Sequence, residues 1–550
     1  LAAYRSQSRW DATRELRQAL RALCDELFDG ACSGLRGSDV YYPHIGLRVF
    51  AVVSFAMPIA LGLADHHAGD ELVCTAADWP GLALYRALSG VAAPQPSRAR
   101  WIGRVAAFTA AGWIASSLEV LVTYGRSQVG LRRLRRRASR RRVALWLQLL
   151  SDFPRANATV IEATRGQDVG VLLHGHLGRG ERDESQLRRR KGTDLWPGLR
   201  ELDQRRAVAW EATSIPHAVA HMARAHAAFT RTCLAASIRL CRHGPWLRLG
   251  SRRLDMTGSE GRFAKLLTID VARTCMADVA ASAAARAHDF DGSVVLSAGS
   301  HMSDVAVVMR RLQGAGAKTV DLAHGWPGEP EPFTDEPPCD FRCVWSHTDT
   351  TGGPVRFLVG GMPCPERLPR PPPRERPCVL VMTNYMHRDD AVYQNGYDPY
   401  LDELLDVVRH RADRYAFRWR PHPADRAKEV ARAAEGLPAE ISRGRPLGED
   451  LAWADVVVST LSSAVPQALL AGRPVLVHFT PDFDGSRQVN VFAPRRTFLF
   501  ARDGVEKLDA VVRALSDPSV LADDDAALAC LFGDARAPRT LRAALAPLIA

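Results

Sequence analysis

Three apolar runs, each ending in polar or basic residues, recur within about a hundred residues: VLVMTN from Val379, YAFRWRPHP from Tyr415, and WADVVVSTLSSAVPQALLAGRPVLV ending at Val477. An apolar run of four to six residues that stops in a polar loop is the unit of an open parallel α/β sheet. Such sheets take their ligands at the carboxyl ends of their strands. Three units in succession read as one nucleotide-binding half-domain and confine the fold class to α/β.

The third run carries the most constrained chemistry. Asp455 precedes Val456, Val457 and Val458, and Ser459, Thr460, Ser462 and Ser463 crowd the loop before a helix over Gln467 to Leu470. Free backbone N–H groups and the positive end of a helix, with hydroxyls beside them, suit phosphate oxygens. Serines that merely cap the helix are the competing reading. Gly472, Arg473 and Pro474 then stop the helix and turn the chain into a strand over Val475 to Val477. In the second run, Arg418 and Arg420 lie two apart and share a face of a regular strand. Pro421 and Pro423 stiffen the loop around His422, which could donate to a phosphate or protonate a leaving oxygen. A purely structural histidine is the alternative there. The first run leaves Thr383 and Asn384 at its end.

The series VGGMP at Val359 to Pro363, RPHP at Arg420 to Pro423, and STLSS followed by QALLAGRPVLV resembles the carboxy-terminal half of GT-B glycosyltransferases of bacterial surface polysaccharides. Within that group it is similar to the capsule and lipopolysaccharide transferases, the His-Pro sialyltransferases and the CDP-glycerol glycerophosphotransferases. The resemblance covers about the last 260 residues. It implies that His422, Ser462 and Ser463 contact the donor phosphates, with Arg420, Ser459, Thr460, Gln467, Thr383 and Asn384 around them. KTVDLAHG, Lys318 to Gly325, looks like the strand that ends in His-Gly and faces the cleft from the other domain, which makes His324 the candidate base. Gln467 stands where many such enzymes place a glutamate for the ribose, and it brings hydrogen bonds without charge. The paired Gly-Gly and Glu-Glu pattern of the related UDP-sugar 2-epimerases is missing at this loop.

A chain of 550 residues with 47% hydrophobic content exceeds one ordinary core, so two or three domains are expected. The expected fold is GT-B, two Rossmann-like domains facing a cleft, behind a helical and basic amino-terminal region. The boundaries fall at 1–142, 143–365 and 366–550, with the proline-rich stretch Pro363 to Pro377 as a stiff hinge spacer. In the middle portion, strands are expected over 143–150, 169–173, 293–297 and 319–323, with a helix over 303–312 that His301 caps. A longer helical segment is expected over 199–242, and the arginine-rich stretch 178–192 reads as an exposed loop. The eleven cysteines include no CxxC pair, so neither a zinc site nor disulfides are expected, and no cofactor beyond the donor substrate is implied.

The net charge is +11, and Arg126 to Arg142 holds nine arginines and no acid. Just before it, Val105 to Gly125 has Glu119 as its one charge and is long enough to cross a bilayer. A packed helix ranks first for this segment, an interfacial helix second and a spanning helix last, because a buried glutamate costs roughly 2.5 to 3.5 kcal/mol on insertion scales. Nucleic acid is disfavoured as the partner of the arginines, for no aromatic residues interleave with them. An anionic membrane fits better. Residues 10–28 read as an amphipathic helix with Leu16, Leu20, Leu23 and Leu27 on one face and Gly30 as its stop, rather than as a secretory leader. The expected function is transfer of a sugar from a CMP- or CDP-linked donor to a surface polysaccharide or glycolipid, by a cytoplasmic enzyme peripheral to the inner membrane. A CDP-polyol phosphotransferase of the same fold and a non-catalytic assembly factor are the competing readings.

Overall fold

Two parallel six-stranded sheets, each with its own helices, organise the chain. The computed structural model describes residues 7–32, 34–42, 97–134, 145–149, 169–173, 215–249, 252–257, 259–298, 302–322, 339–344, 356–359, 368–369, 371–372, 374–383, 397–422, 427–443, 445–459, 464–478, 498–501, 508–509 and 541–549. The first sheet contains β1 (Leu145–Leu149), β2 (Val169–Leu173), β5 (Val294–Ala298), β6 (Lys318–Leu322), β7 (Phe341–Val344) and β8 (Arg356–Val359). Its order is β2-β1-β5-β6-β7-β8, and every neighbouring pair is parallel. A small antiparallel hairpin, β3 (Trp246–Leu249) with β4 (Arg252–Asp255), stands apart from it.

The second sheet contains β9 (Cys378–Met382), β10 (Ala416–Arg420), β11 (Glu440–Ile441), β12 (Val456–Ser459), β13 (Val475–His478) and β14 (Phe498–Ala501). Its order, β11-β10-β9-β12-β13-β14, is the doubly wound 3-2-1-4-5-6 arrangement, parallel throughout. The strand direction of winding reverses between β9 and β12, so the sequence's three apolar runs form the middle of one sheet. β9 and β12 are buried along their whole length, which is why they read as continuous apolar runs rather than as alternating ones. Each sheet is thus one Rossmann-like α/β unit.

Among the described residues the helices are α1 (Gln7–Phe28), α2 (Arg98–Leu134), α3 (Ile215–His243), α4 (Glu260–Lys265), α5 (Val271–Ala287), α6 (Ser303–Gly314), α7 (Tyr397–Arg411), α8 (Ala427–Ala433), α9 (Leu447–Trp453), α10 (Ala464–Leu470) and α11 (Leu541–Ile549). Several depart from the sequence reading. The amino-terminal helices are not a region apart: Leu16, Leu20, Leu23 and Leu27 of α1 and Trp101 and Val105 of α2 share one core with Trp146, Val295 and Val307 of the first sheet's unit. Helix α1 does end where expected, with Gly30 at φ 70°. Helix α3 covers only the later part of the expected 199–242 segment, and 199–214 lie outside the described residues. The N-cap of α6 is Met302, not His301, which is outside the described residues. Helix α11 packs against β8 of the first sheet, whereas the boundary at 366 assigns it to the second domain.

The proline-rich linker also differs from expectation. Its described residues are tied down on the second unit rather than free to act as a spacer. Leu368 N–H donates to the Ala471 carbonyl at 3.2 Å, the Arg374 guanidinium to Trp453 O at 2.8 Å, and the Arg376 guanidinium to Ala412 O at 3.1 Å. Arg473, 2% exposed, donates from Nε to Leu451 O and from Nη2 to Pro369 O, each at 2.7 Å. A buried guanidinium is satisfied here by main-chain oxygens, so it fastens the linker to α9. Gly472, at φ 76°, closes α10, with Arg473 N–H reaching back to Ala468 O at 2.9 Å and Gly472 N–H to Leu469 O at 2.9 Å.

Helix α2 runs through Val105–Gly125 and into the arginine run without a break. No helix among the described residues is long and apolar enough to cross a membrane, which removes the spanning alternative. The face of α2 turned inward is built on Trp101, Val105, Thr109, Ser116, Ser117 and Val120. The hydroxyls of Thr109, Ser116 and Ser117 are buried there with no hydrogen-bond partner among the described residues, and such a group costs roughly 1–3 kcal/mol. Against this face lies a π-helical turn, Leu266–Asp270, that joins α4 to α5. Its Thr268 is buried and donates to Ala264 O at 2.7 Å.

Gly112 permits this close approach. A Cβ on Gly112 would stand 2.6 Å from Thr268 Oγ1 and 2.9 Å from its Cγ2. Alanine gains up to about 1 kcal/mol of helix propensity over glycine, but overpacking a tight contact costs about 1–3 kcal/mol. Gly112→Ala is therefore expected to lower the stability of the first unit by about 1 kcal/mol in urea unfolding, and adding Thr268→Ala should recover part of the loss. A stability gain in Gly112→Ala would show that this contact is slack.

Candidate functional site

The register of the second sheet brings the three runs to one level. Arg420 of β10 and Ser459 of β12 both stand beside Met382 of β9. Three chains therefore leave the sheet from a single rung: Thr383 after β9, Pro421 and His422 after β10, and the loop that follows Ser459. The winding reversal between β9 and β12 opens the crevice at which such sheets receive ligands. Ser459 is fully buried as the last residue of β12, and Gln467 sits partly buried on α10. Asn384, Thr460, Ser462 and Ser463 lie outside the described residues, as does His324 beyond the end of β6.

The loop bearing His422 starts from a network of buried charges. Asp450 on α9 is 0% exposed and accepts from Arg418 Nη1 at 3.2 Å, from Arg420 Nη1 at 2.5 Å and from the Ser442 hydroxyl at 2.5 Å. Arg418 also forks onto Glu440 Oε2 through Nε at 3.0 Å and Nη2 at 2.8 Å, and its guanidinium lies 4.1 Å over the Trp453 ring. Arg420 Nη1 donates in addition to Arg445 O at 2.9 Å. Both arginines share one face of the strand, as their spacing predicts, and a single carboxylate takes both. Arg420, expected among the donor-binding residues, has its Nη1 engaged by Asp450 and a main-chain carbonyl.

A second tie runs between β9 and β10. The Trp419 indole, 0% exposed, donates to Thr383 Oγ1 at 3.0 Å, and Thr383 N–H donates to Arg420 O at 3.2 Å. Thr383 is thus part of the joint that fixes the two strand ends. At the opposite end of the sheet, Asp455 accepts from Cys378 N–H at 2.7 Å and sets the start of β9 against β12.

In the first unit, Asp321 lies three residues before His324, is 3% exposed, and has Arg342 Nε 3.7 Å from its Oδ2. Its negative charge and the burial around it keep the neighbouring thiols protonated: burial first, then Asp321, pushes Cys343 up to about 12. Burial, and then Asp321, raises Cys339 in the same way. The described cysteines are free thiols, and among the described residues no group of three His, Cys, Asp or Glu stands ready to hold a metal ion.

The residues missed in the sequence are Asp450, Glu440 and Trp453, which reach Arg418 and Arg420 from 22 to 35 positions further on, and Ser442, which donates to Asp450. The available signal was the acidic pair Glu449-Asp450 in the first turn of a helix after Pro446. It reads equally well as an exposed helix start.

No protein-family model matches the chain, and no curated protein matches it. Among solved structures, the chain is similar to the glycosyltransferase VinC in complex with dTDP, at 15% identity and a TM-score of 0.41, over 74% of this chain and 98% of that one. It is similar to the glycosyltransferase SnogD from Streptomyces nogalater, at 16% identity and a TM-score of 0.38, over 74% of this chain and 100% of that one. MurG of Acinetobacter baumannii gives 11% identity and a TM-score of 0.38, over 74% and 97% of the two chains. All three scores are low, and the chain's own residues carry the functional reading.

Breaking a buried pair leaves an unpaired charge, which costs about 3–5 kcal/mol. Asp450→Ala leaves Arg418 with Glu440, whose side chain is 44% exposed, and leaves Arg420 with a carbonyl alone. A loss of about 3 kcal/mol in urea unfolding is expected for Asp450→Ala, and less than 1 kcal/mol for the exposed Arg409→Ala, whose pair with Asp406 is in solvent. Equal losses in the two variants would remove Asp450 as the anchor of the loop.

Proposed function

We propose that the chain is a GT-B glycosyltransferase that moves a sugar from a nucleotide donor, CMP- or CDP-linked, to a surface polysaccharide or glycolipid acceptor. The observation that carries this reading is the single rung from which Thr383, the His422 loop and the loop after Ser459 leave a doubly wound parallel sheet. The tandem of two Rossmann-like units supports it, since each open parallel sheet offers a ligand crevice at its strand ends, one for the donor and one for the acceptor. The motif resemblance supplies the donor class.

In this reading the acceptor hydroxyl attacks the anomeric carbon, and its proton passes to His324. The glycosidic bond forms as the bond from the anomeric carbon to the nucleotide phosphate breaks. The phosphate leaves with the electron pair, stabilised by His422 and the Ser462 and Ser463 hydroxyls. Arg420 acts as a positioning residue through Asp450. Gln467 hydrogen-bonds the ribose, and Ser459, Thr460 and Asn384 complete the donor surroundings. The acceptor is met at the cytoplasmic face of the inner membrane, where the arginine run holds the enzyme peripherally.

Thermal-shift titration with CMP, CDP, UDP and GDP tests the donor class, because a ligand at about 100 times its Kd stabilises the fold by about 2.7 kcal/mol. A shift with a cytidine nucleotide is expected. The absence of a shift with any of the four would sink the transferase reading. His422→Ala is expected to reduce turnover on the order of 100-fold with the thermal midpoint kept. The double variant Ser462→Ala/Ser463→Ala is expected to weaken nucleotide binding, each lost bond to charged phosphate being worth roughly 1.5–3 kcal/mol. Equal affinity in calorimetry would reduce the two serines to helix caps.

A further inference from the structure

Every exposed large hydrophobic side chain among the described residues lies on α2 or α3: Ile102, Phe108, Ile114 and Leu118 on the first, Val219, Leu234 and Ile238 on the second. The two helices pack on one another, antiparallel. Arg98 donates to Arg242 O at 2.8 Å, and Trp113 Nε1 to Thr230 Oγ1 at 3.3 Å.

The polarity of α2 is reversed over its middle. Between Arg104 and Glu119 its exposed residues are Ala106, Ala107, Phe108, Ala110, Ala111, Ile114, Ala115 and Leu118, all apolar. The hydroxyls of Thr109, Ser116 and Ser117 point the other way, into the protein, without partners among the described residues. A helix evolved to meet water places its hydroxyls outward and its large aliphatic residues inward. This one does the opposite over about three turns, so the outward surface is matched to a medium less polar than water.

The charges around this face choose the medium. Arg98, Arg100 and Arg104 are exposed on the first turns of α2, with Arg104 also 3.8 Å from Glu260. Past Gly125 the same helix carries Arg126, Arg132 and Arg133, the start of the arginine run. The exposed stripe of α3 is Val219, Ala223, Arg224, Ala227, Arg231, Leu234, Ile238 and Arg242, and that helix contains no acidic residue. Arginines that bracket an apolar face fit an anionic bilayer, with the aliphatic side chains among the acyl chains and the guanidinium groups at the headgroups.

We infer that the outward faces of α2 and α3 form the docking surface for an anionic lipid bilayer, with Ile114 and Leu118 inserting and Arg224 and Arg231 on the headgroups. This rests on the peripheral placement proposed above and assigns it to particular residues. The surface is independent of the nucleotide crevice on the second sheet.

The test is sedimentation of the full chain, without nucleotide, with phosphatidylcholine vesicles and with vesicles that also contain phosphatidylglycerol. Binding to the anionic vesicles alone is expected. Ile114→Gln/Leu118→Gln should weaken it roughly tenfold or more, and Arg224→Gln/Arg231→Gln by about fivefold per arginine. All four positions are exposed, so both variants should keep the wild-type thermal midpoint. Equal binding to the two vesicle types, no binding, or unchanged binding in the Ile114→Gln/Leu118→Gln variant would overturn the inference. So would a wild-type dimer in sedimentation velocity that this variant converts to monomer, since the face would then belong to a second copy. Calorimetric titration of the same variant with CMP and CDP separates the two readings: nucleotide binding kept while vesicle binding is lost supports this surface. Vesicle binding without any nucleotide binding in the wild type would overturn the transferase reading alone.

Discussion

One carboxylate with no exposure to water governs the second sheet. Asp450 sits between Arg418 and Arg420, two residues apart on β10, and takes the Ser442 hydroxyl as well. Burying any of these charges alone would cost several kcal/mol, and together they are mutually satisfied. The geometry that satisfies them also fixes the end of β10, and with it the start of the Pro421-His422 loop. A loop that starts from so fully satisfied a network has its first residues held in place. Both arginines of β10 are tied to this one carboxylate.

The rest of the crevice depends on register. Parallel pairing puts Arg420, Met382 and Ser459 side by side, and the Trp419 to Thr383 bond locks two of the three exits together. Residues that lie up to about eighty positions apart in the chain are thereby brought to one edge. The linker is drawn into the same unit by Arg473, Arg374 and Arg376, so that the proline-rich stretch belongs to the body of the second unit.

Helix α2 shows why hydropathy alone left its segment ambiguous. Its composition averages two opposite faces, one exposing aliphatic residues and the other burying hydroxyls, so a mean over the segment describes neither. The inward face approaches the π-helical turn so closely that only glycine fits at 112, and it buries three hydroxyls. The outward face keeps the aliphatic residues that a core helix would have turned inward.

Much of the local structure was legible in the sequence. The strands at 145–149, 169–173, 294–298 and 318–322, the strands of the second sheet at 378–382, 416–420 and 456–459, and the stop at Gly472 all follow from patterns within a few residues. These features are set by short-range rules of burial, periodicity and left-handed backbone, which the sequence states directly. Other features required the folded chain. Asp450 as the partner of both arginines, α1 and α2 as part of the first core, and α11 returning to β8 are contacts between segments far apart in the chain. No local pattern distinguishes an acidic residue at a helix start that meets water from one that meets two buried guanidinium groups. The sequence by itself determined which segments become strands and helices and where the polar loops fall. Which charges are spent on one another, and which face of α2 looks outward, was decided by tertiary packing, since both depend on neighbours that only the fold supplies.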